Sequence, residues 1–326
     1  MAKTHWGILS TGRIAGILAE ALAYLPDAEL TAVGSRSAGA AQAFGEKYHV
    51  PHRHASYEAL AADPDVEVIY VATPHNLHYE NAMLCLEHGK AVLCEKPFTL
   101  NAPQAAGLIA AARQKKLFLM EAMWTRYIPA IVKVRQMVAA GSIGEVRMVT
   151  ADLGFHAKFD PQGRLFNPQL AGGALLDVGC YVVSFASMLL GTPRQATGVA
   201  HLGKSGVDEQ TGILLGYDDG RLAVLSCAVS TSTPMEGYVL ASKGSLHLHA
   251  PFHASKRLTF KNADGKQRVI NCPYKGNGYN YEAAEVMACL RQGKLESAVM
   301  PLDESLAIMR TLDQLRAQIG LRYPME

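Results

Sequence analysis

No two cysteines stand close enough to form a C-x-x-C pair. The six, Cys85, Cys94, Cys180, Cys227, Cys272 and Cys289, lie singly and mostly inside apolar stretches. A disulfide framework is therefore not expected, nor is a metal; these are the small core residues of a protein in a reducing compartment. An excess of charge of one sign is missing as well, with 31 Lys and Arg against 29 Asp and Glu. That balance gives no reason to expect nucleic acid or an acidic membrane surface as partner. No apolar run approaches the ~18 residues of a spanning helix. Met1 to Trp6 lead directly into a strand, without the long apolar stretch of a signal peptide. A soluble cytoplasmic protein is the expectation. Internal repeats and low-complexity segments are also absent.

What is present is a composition suited to a large core. The chain has 326 residues, 49% hydrophobic and 18% charged, enough for about two domains without help from metals or disulfides. From Trp6 to Met120 short apolar strands alternate with helical patterns: Trp6–Leu9, Leu30–Gly34, Val66–Ala72, Ala91–Cys94 and Leu117–Met120 are the strands. Such alternation predicts βαβ units and a parallel sheet. After about Trp124 the strands lengthen and alternate, over Glu145–Leu153, Thr211–Tyr217, Arg221–Ser230, Glu236–Ala241 and Gly244–His249. Asp218-Asp219-Gly220 between two of them is a hairpin signal. A helix with Pro129 in its first turn runs to Ala140, and after it helices recur only near 173–190, 280–292 and 303–319. The expected architecture is α/β: a dinucleotide-binding domain over 1–123, then an α+β domain over 124–326 on a large, mostly antiparallel sheet.

Glu95-Lys96-Pro97 is the most informative tripeptide. It follows Ala91-Val92-Leu93-Cys94, a run that reads as a buried parallel strand. Open α/β sheets bind ligands beyond the carboxyl ends of their strands, so a lysine there faces the ligand. Gly12, where strand one turns into a helix, offers backbone N–H groups to a pyrophosphate. The fingerprint around it is degraded to Ser10-x-Gly12-x-x-Ala15, with Thr11, Arg13 and Ile14 filling the turn. At the end of strand two, Ser35-Arg36-Ser37 stands where NAD enzymes carry an acid for the ribose hydroxyls. Arginine can pair with a 2′-phosphate, which favours NADP while leaving NAD possible. Thr73 and Pro74 continue the ligand edge, and Asn76 and His78 open the next helix as further cofactor candidates with Glu95 and Lys96.

Gly172-Gly173-Ala174-Leu175-Leu176-Asp177-Val178-Gly179-Cys180-Tyr181 opens an apolar helix and puts Asp177 and Tyr181 on one face. With these residues the chain resembles the Gfo/Idh/MocA oxidoreductases, in particular the dimeric dihydrodiol dehydrogenase and NADP-dependent xylose dehydrogenase branch. The resemblance rests on Gly7–Gly16, Ala72-Thr73-Pro74, Gly89–Pro97, Met120–Arg126 and Gly172–Tyr181. Tyr281-Glu282-Ala283, Arg291–Lys294 and Arg322-Tyr323-Pro324 also match, so it covers essentially the full length.

It implies that Lys96 and Tyr181 meet at the nicotinamide, with Asp177 beside the substrate and Trp124 and Arg126 lining its pocket. It also implies a cis Lys96–Pro97 peptide, and a homodimer or dimer of dimers formed through the C-terminal sheet. The implied activity is hydride transfer with a secondary alcohol or hemiacetal of a sugar or cyclic diol. Inositol- and glucose-type relatives carry histidine in place of Tyr181, which favours the tyrosine-bearing branch. Tyrosine, with an ordinary pKa near ~10, needs a nearby cation to serve as a base at neutral pH. Lys96 can supply that charge or carry the proton itself, and the residues leave both open. The alternatives are a non-catalytic NADP-sensing regulator of the same fold and a reductase of non-sugar carbonyls; retention of both Lys96 and Tyr181 argues against the sensor.

Overall fold

The computed structural model describes residues 2–326. Its backbone contacts group the chain into two compact units, one running through Trp124 and including Lys275–Leu306, the other Thr125–Tyr274 with Ala307–Glu326. The sequence placed all of 124–326 in the second domain, whereas Lys275–Leu306 packs with the first. The reason is specific bonding. Asn277 donates to the Ile17 carbonyl at 2.8 Å, the Leu119 N–H donates to the Leu295 carbonyl at 3.1 Å, and Arg291 pairs with Asp27.

The first unit holds six parallel strands: β1 (Thr4–Leu9), β2 (Ala28–Gly34), β3 (His52–His54), β4 (Val68–Val71), β5 (Ala91–Glu95) and β6 (Leu119–Ala122). Their order is β3-β2-β1-β4-β5-β6, so the winding reverses between β1 and β4. A crevice at such a reversal is where doubly wound sheets bind ligands. Every residue of β4, β5 and β6 is buried. Burial on both faces is why these strands read as continuous apolar runs rather than alternating ones. Helices α1 (Arg13–Leu22), α2 (Ala38–Tyr48), α3 (Tyr57–Ala61), α4 (His78–Glu87) and α5 (Ala102–Lys115) form the connections. The Lys96–Pro97 peptide is cis, in keeping with the resemblance, and so is Ala250–Pro251, which no motif marked.

The second unit begins with α6 (Pro129–Ala139) and contains β7 (Val146–Gly154), α7 (Cys180–Leu190), β8 (Gln195–Leu202), β9 (Asp208–Gly216), β10 (Leu222–Ala228), β11 (Gly237–Ala241), β12 (Gly244–Leu248), β13 (Arg257–Asn262) and β14 (Gln267–Asn271). The strands form one sheet, β14-β13-β12-β11-β7-β10-β9-β8. Only the β7–β10 pair is parallel. Strands β8, β13 and β14, missed by the sequence reading, lie toward the two edges of the sheet, where polar and apolar residues mix without a clean period. Along β10 the burial alternates: Ala223, Leu225 and Cys227 are buried, while Leu222 and Val224 are exposed at 37% and 46%. Leu214 of β9 pairs with Val224 and is likewise exposed, at 47%. One face thus carries the core and the other an apolar strip. Helices α8 (Asn280–Arg291) and α9 (Leu302–Ile319) follow the sheet.

One expectation needs correcting. The helical stretch Pro168–Leu190 has the length and apolarity of a membrane span, but 89% of its apolar window is buried inside the structure. Its hydrophobicity on every side is that of a core helix wrapped by neighbours.

Candidate active site

Strand β1 ends in a sharp turn. Ser10, in the place of the fingerprint's first glycine, has φ +100°, a region that glycine occupies at no cost and serine rarely adopts. Its N–H bonds to the Gly34 carbonyl at 2.9 Å, which ties the turn to the end of β2. Gly12 caps α1 with extended backbone and no side-chain acceptor, and no acid stands in the helix's first turn. A Cβ at Gly12 would meet nothing nearer than Ser10 Oγ at 3.9 Å. Open space above bare helix N–H groups is the shape a dinucleotide pyrophosphate fits. Thr11, Arg13 and Ile14 are exposed or half-exposed around it.

At the end of β2, Arg36 is exposed while Ser35 is buried. The Ser35 hydroxyl accepts from the Ser37 N–H at 3.3 Å, and Ser37 Oγ accepts from Ala40 as the cap of α2. Both hydroxyls therefore shape the loop, and the side chain projecting from it is the guanidinium.

Strand ends β4 and β5 are joined by buried polar groups. Tyr70 donates to Glu95 Oε1, and Glu95 Oε2 accepts from the Lys96 N–H at 3.1 Å. Burial, then the Glu95 charge, pushes the Tyr70 phenol well above its ordinary range. Glu282 of α8 is fully buried beside them, and burial together with Glu95 raises its carboxyl well above the usual carboxylate value.

His78 was expected to meet the cofactor. It is instead completely buried, with Nδ1 at 2.8 Å from the Pro97 carbonyl and Nε2 at 2.9 Å from the Thr73 carbonyl. It staples the two loops. A neutral imidazole has one N–H and can donate to only one carbonyl, whereas the cation could serve both. Burial outweighs both carbonyls, and with the Lys96 charge acting in the same direction the pKa falls to about 4. Glu95 likewise sits beneath the loop, as a support for Lys96. Thr73 accepts from Asn81 at 3.2 Å, Pro74 is exposed, and Asn76 lies half-exposed in the following turn. Trp124 stacks on Tyr279, centroids 4.5 Å apart at 17°, so one of its faces is already occupied.

In the second unit, Asp177 lies within a π-turn, Leu175–Gly179, that leads into α7 and Tyr181. Such wide turns recur at functional sites. Asp177 is buried and accepts from Arg164 at 2.8 Å. The Tyr181 ring lies 5.4 Å from His253. Neither Arg164 nor His253 figured in the sequence reading, because Arg164 sits in an irregular turn and His253 in a single 3-10 turn, neither with a motif. Arg126, expected in the substrate pocket, is 2% exposed and gives both Nε and Nη2 to Ser184, each at 3.0 Å. It braces α7.

Two clusters bring possible metal ligands within 4.8 Å of one another: His52, His54 and Asp63, and Glu236, His247 and His249. Both imidazoles of the first bond Asp63 Oδ2 at 2.8 Å, and His249 of the second bonds Thr259 and Arg257. Hydrogen bonding accounts for both arrangements.

The family profile of the oxidoreductase family, NAD-binding Rossmann fold, matches residues 4–123, and that of the GFO/IDH/MocA C-terminal domain matches residues 131–247. The chain belongs to the Gfo/Idh/MocA oxidoreductase family. Among its family relatives, trans-1,2-dihydrobenzene-1,2-diol dehydrogenase of Mus musculus is 37% identical, over 99% of this chain and 98% of the relative. D-xylose 1-dehydrogenase (NADP(+)) of Hypocrea jecorina is 37% identical, over 98% of this chain and 93% of the relative. The aldose-aldose oxidoreductase of Caulobacter crescentus, solved with glycerol, superposes with a TM-score of 0.89 at 25% identity, covering 98% of both chains. A 3-ketoreductase of Actinomadura kijaniata, solved with NADP and TDP-benzene, gives 0.85 at 28% identity over 97% of this chain and 98% of the other.

His78 generates a pH prediction. Its folded pKa of about 4 lies below the ordinary 6.5, so the unfolded chain binds the extra proton between those values. The stability this neutral ring supplies is complete above about pH 6.5 and is lost as pH falls toward 4. The loss should amount to about 3 kcal/mol in urea unfolding between pH 7 and 4. His78→Asn should flatten that part of the profile; an unchanged slope would show that the ring does not fold in its neutral form.

Proposed function

We propose that this protein is an NADP(H)-dependent oxidoreductase that transfers hydride between the nicotinamide and a secondary alcohol or hemiacetal of a sugar or cyclic diol. The observation that carries the reading is the lysine at the carboxyl end of a fully buried parallel strand, supported from below by Glu95, Tyr70 and His78. The relatives named for dihydrodiols, xylose and aldoses support the substrate class. The turn at 10–14 would hold the pyrophosphate, and Arg36 the 2′-phosphate. The bound nicotinamide supplies the hydride acceptor or donor. The chain's own task is to bind the substrate hydroxyl and move its proton.

For that task we assign Tyr181 as the acid/base and Lys96 as the cation that favours its phenolate. Asp177, held by Arg164, orients the substrate as a hydrogen-bond acceptor. Six buried free cysteines support a reducing, cytoplasmic setting. The open sheet face, with the paired Leu214 and Val224 exposed and Val199 of β8 75% exposed, supports burial against a second copy.

Assaying NADP reduction with D-xylose, other aldoses, inositols and trans-dihydrodiols tests the reading; stoichiometric NADP binding with no turnover on any would favour a sensor instead. Arg36→Ala should weaken NADP by roughly tenfold or more while leaving NAD nearly unchanged. Equal losses would remove the 2′-phosphate assignment. Tyr181→Phe should lower turnover by roughly 10²–10⁴-fold with NADP affinity retained. A few-fold loss there, alongside an inactive Lys96→Met, would move the proton to Lys96. Light scattering at micromolar protein should give a dimer or tetramer that Val224→Glu dissociates, and a wild-type monomer would contradict the interface.

A further inference from the structure

We propose that Asp208 is a positioning residue for the reaction, capping from strand β9 the helix start that carries Asp177 and Tyr181. This rests on the reading of those two residues as the reactive pair. The chain is helical from residue 174, which makes Gly173 the cap. The first N–H groups of a helix lack internal acceptors, and a Ser, Thr, Asp or Asn side chain at the cap normally accepts from one of them. Gly173 has no side chain to offer, and its φ of +115° keeps it glycine.

Asp208 fills the gap from another element. It is fully buried, and its Oδ2 accepts from the Leu175 N–H and from Thr211 Oγ1, both at 2.7 Å. Its Oδ1 lies where a side chain at 173 would have to go, so any Cβ there would collide with it. Gly173 and Asp208 are two halves of one cap.

The surroundings hold the turn from the other side. Tyr323 donates to the Gly172 carbonyl at 2.8 Å, and Arg316 pairs with Asp313 and Glu326 at 2.7 Å to fix that terminal segment. The turn needs such support, because the bond from the Asp177 N–H back to the Gly173 carbonyl is long, 3.4 Å, at the entry to the π-turn. Burial pushes the Asp208 carboxyl up to about 7 against the lowering bonds from Thr211 and the Leu175 N–H, and in either protonation state it keeps an acceptor oxygen for that N–H. Asp177 lies one turn from this cap and Tyr181 two, so slackness at Leu175 displaces both side chains.

The test measures kcat, KM and NADP affinity for Asp208→Ala, Asp208→Asn and Gly173→Ala, with Tyr181→Phe as reference and D-xylose or trans-1,2-dihydrobenzene-1,2-diol as probe. Asp208→Ala should lower kcat by ~10-fold or more per folded molecule, the scale on which misplaced reacting groups act. NADP affinity should hold. Asp208→Asn retains an acceptor oxygen for Leu175 and should recover most of kcat, which also guards against an alanine variant that fails to fold. Gly173→Ala, strained at φ +115° as well as crowding Asp208 Oδ1, should lose at least as much kcat per folded molecule as Asp208→Ala. The proposal is overturned if kcat per folded molecule is unchanged in Asp208→Ala, or if alanine and asparagine lose alike. With Tyr181→Phe impaired, either result sinks the cap alone. A fully active Tyr181→Phe overturns the reactive pair and the proposal together.

Discussion

Buried polar contacts hold the ends of β4 and β5 in one arrangement, with Tyr70 and the Lys96 N–H on Glu95 and the neutral His78 ring packed between the Thr73 and Pro97 carbonyls, and the placement of Lys96 depends on them. A parallel sheet buried on both faces has no room for polar chemistry along its strands; only the strand ends can carry it. At those ends, each buried polar group needs a partner, since an unmet one costs about 1–3 kcal/mol. Glu95 is met by Tyr70 and by the Lys96 N–H, and the one N–H of the neutral His78 ring serves the carbonyl of either Thr73 or Pro97. The backbone on both sides of Lys96 is thereby fixed before any ligand binds.

The second unit solves the same problem with a helix. Asp177 and Tyr181 need a rigid element, yet the segment that carries them enters through two glycines and a π-turn, both weak formers of regular helix. Rigidity is supplied from outside: Asp208 and Tyr323 at the turn, Arg126 on Ser184 further along α7, and burial of nearly every residue of that helix. Two residues the sequence suggested for ligand contact hold backbone instead, His78 between the ends of β4 and β5 and Arg126 along α7. Polar residues near a site are needed as much to hold the reacting groups still as to touch substrate.

What was legible in the sequence follows from this division. The parallel strands announced themselves as apolar runs because both their faces are buried, and Lys96 stood out because it ends one of them. Asp177 and Tyr181 were legible from their four-residue spacing. Arg164, His253 and Asp208 were not, since each reaches its partner from a loop, a single 3-10 turn or a strand start that carries no motif. The β8, β13 and β14 strands escaped because their exposed faces dilute the alternation. Lys275–Leu306 was assigned to the wrong unit because local pattern carries no record of long-range bonds such as Asn277 to Ile17.

Direct hydride transfer between a bound nicotinamide and a carbon bearing a hydroxyl is the step that the arrangement around Lys96, Asp177 and Tyr181 serves. The most direct measurement is single-turnover oxidation of an active sugar or dihydrodiol deuterated at the carbon that loses hydrogen, with NADP in stoichiometric amount. The result expected is one deuterium at C4 of each NADPH formed, on a single face, with a slowed rate for the labelled substrate. NADPH without label, or tight NADP binding with no transfer at all, would contradict the account.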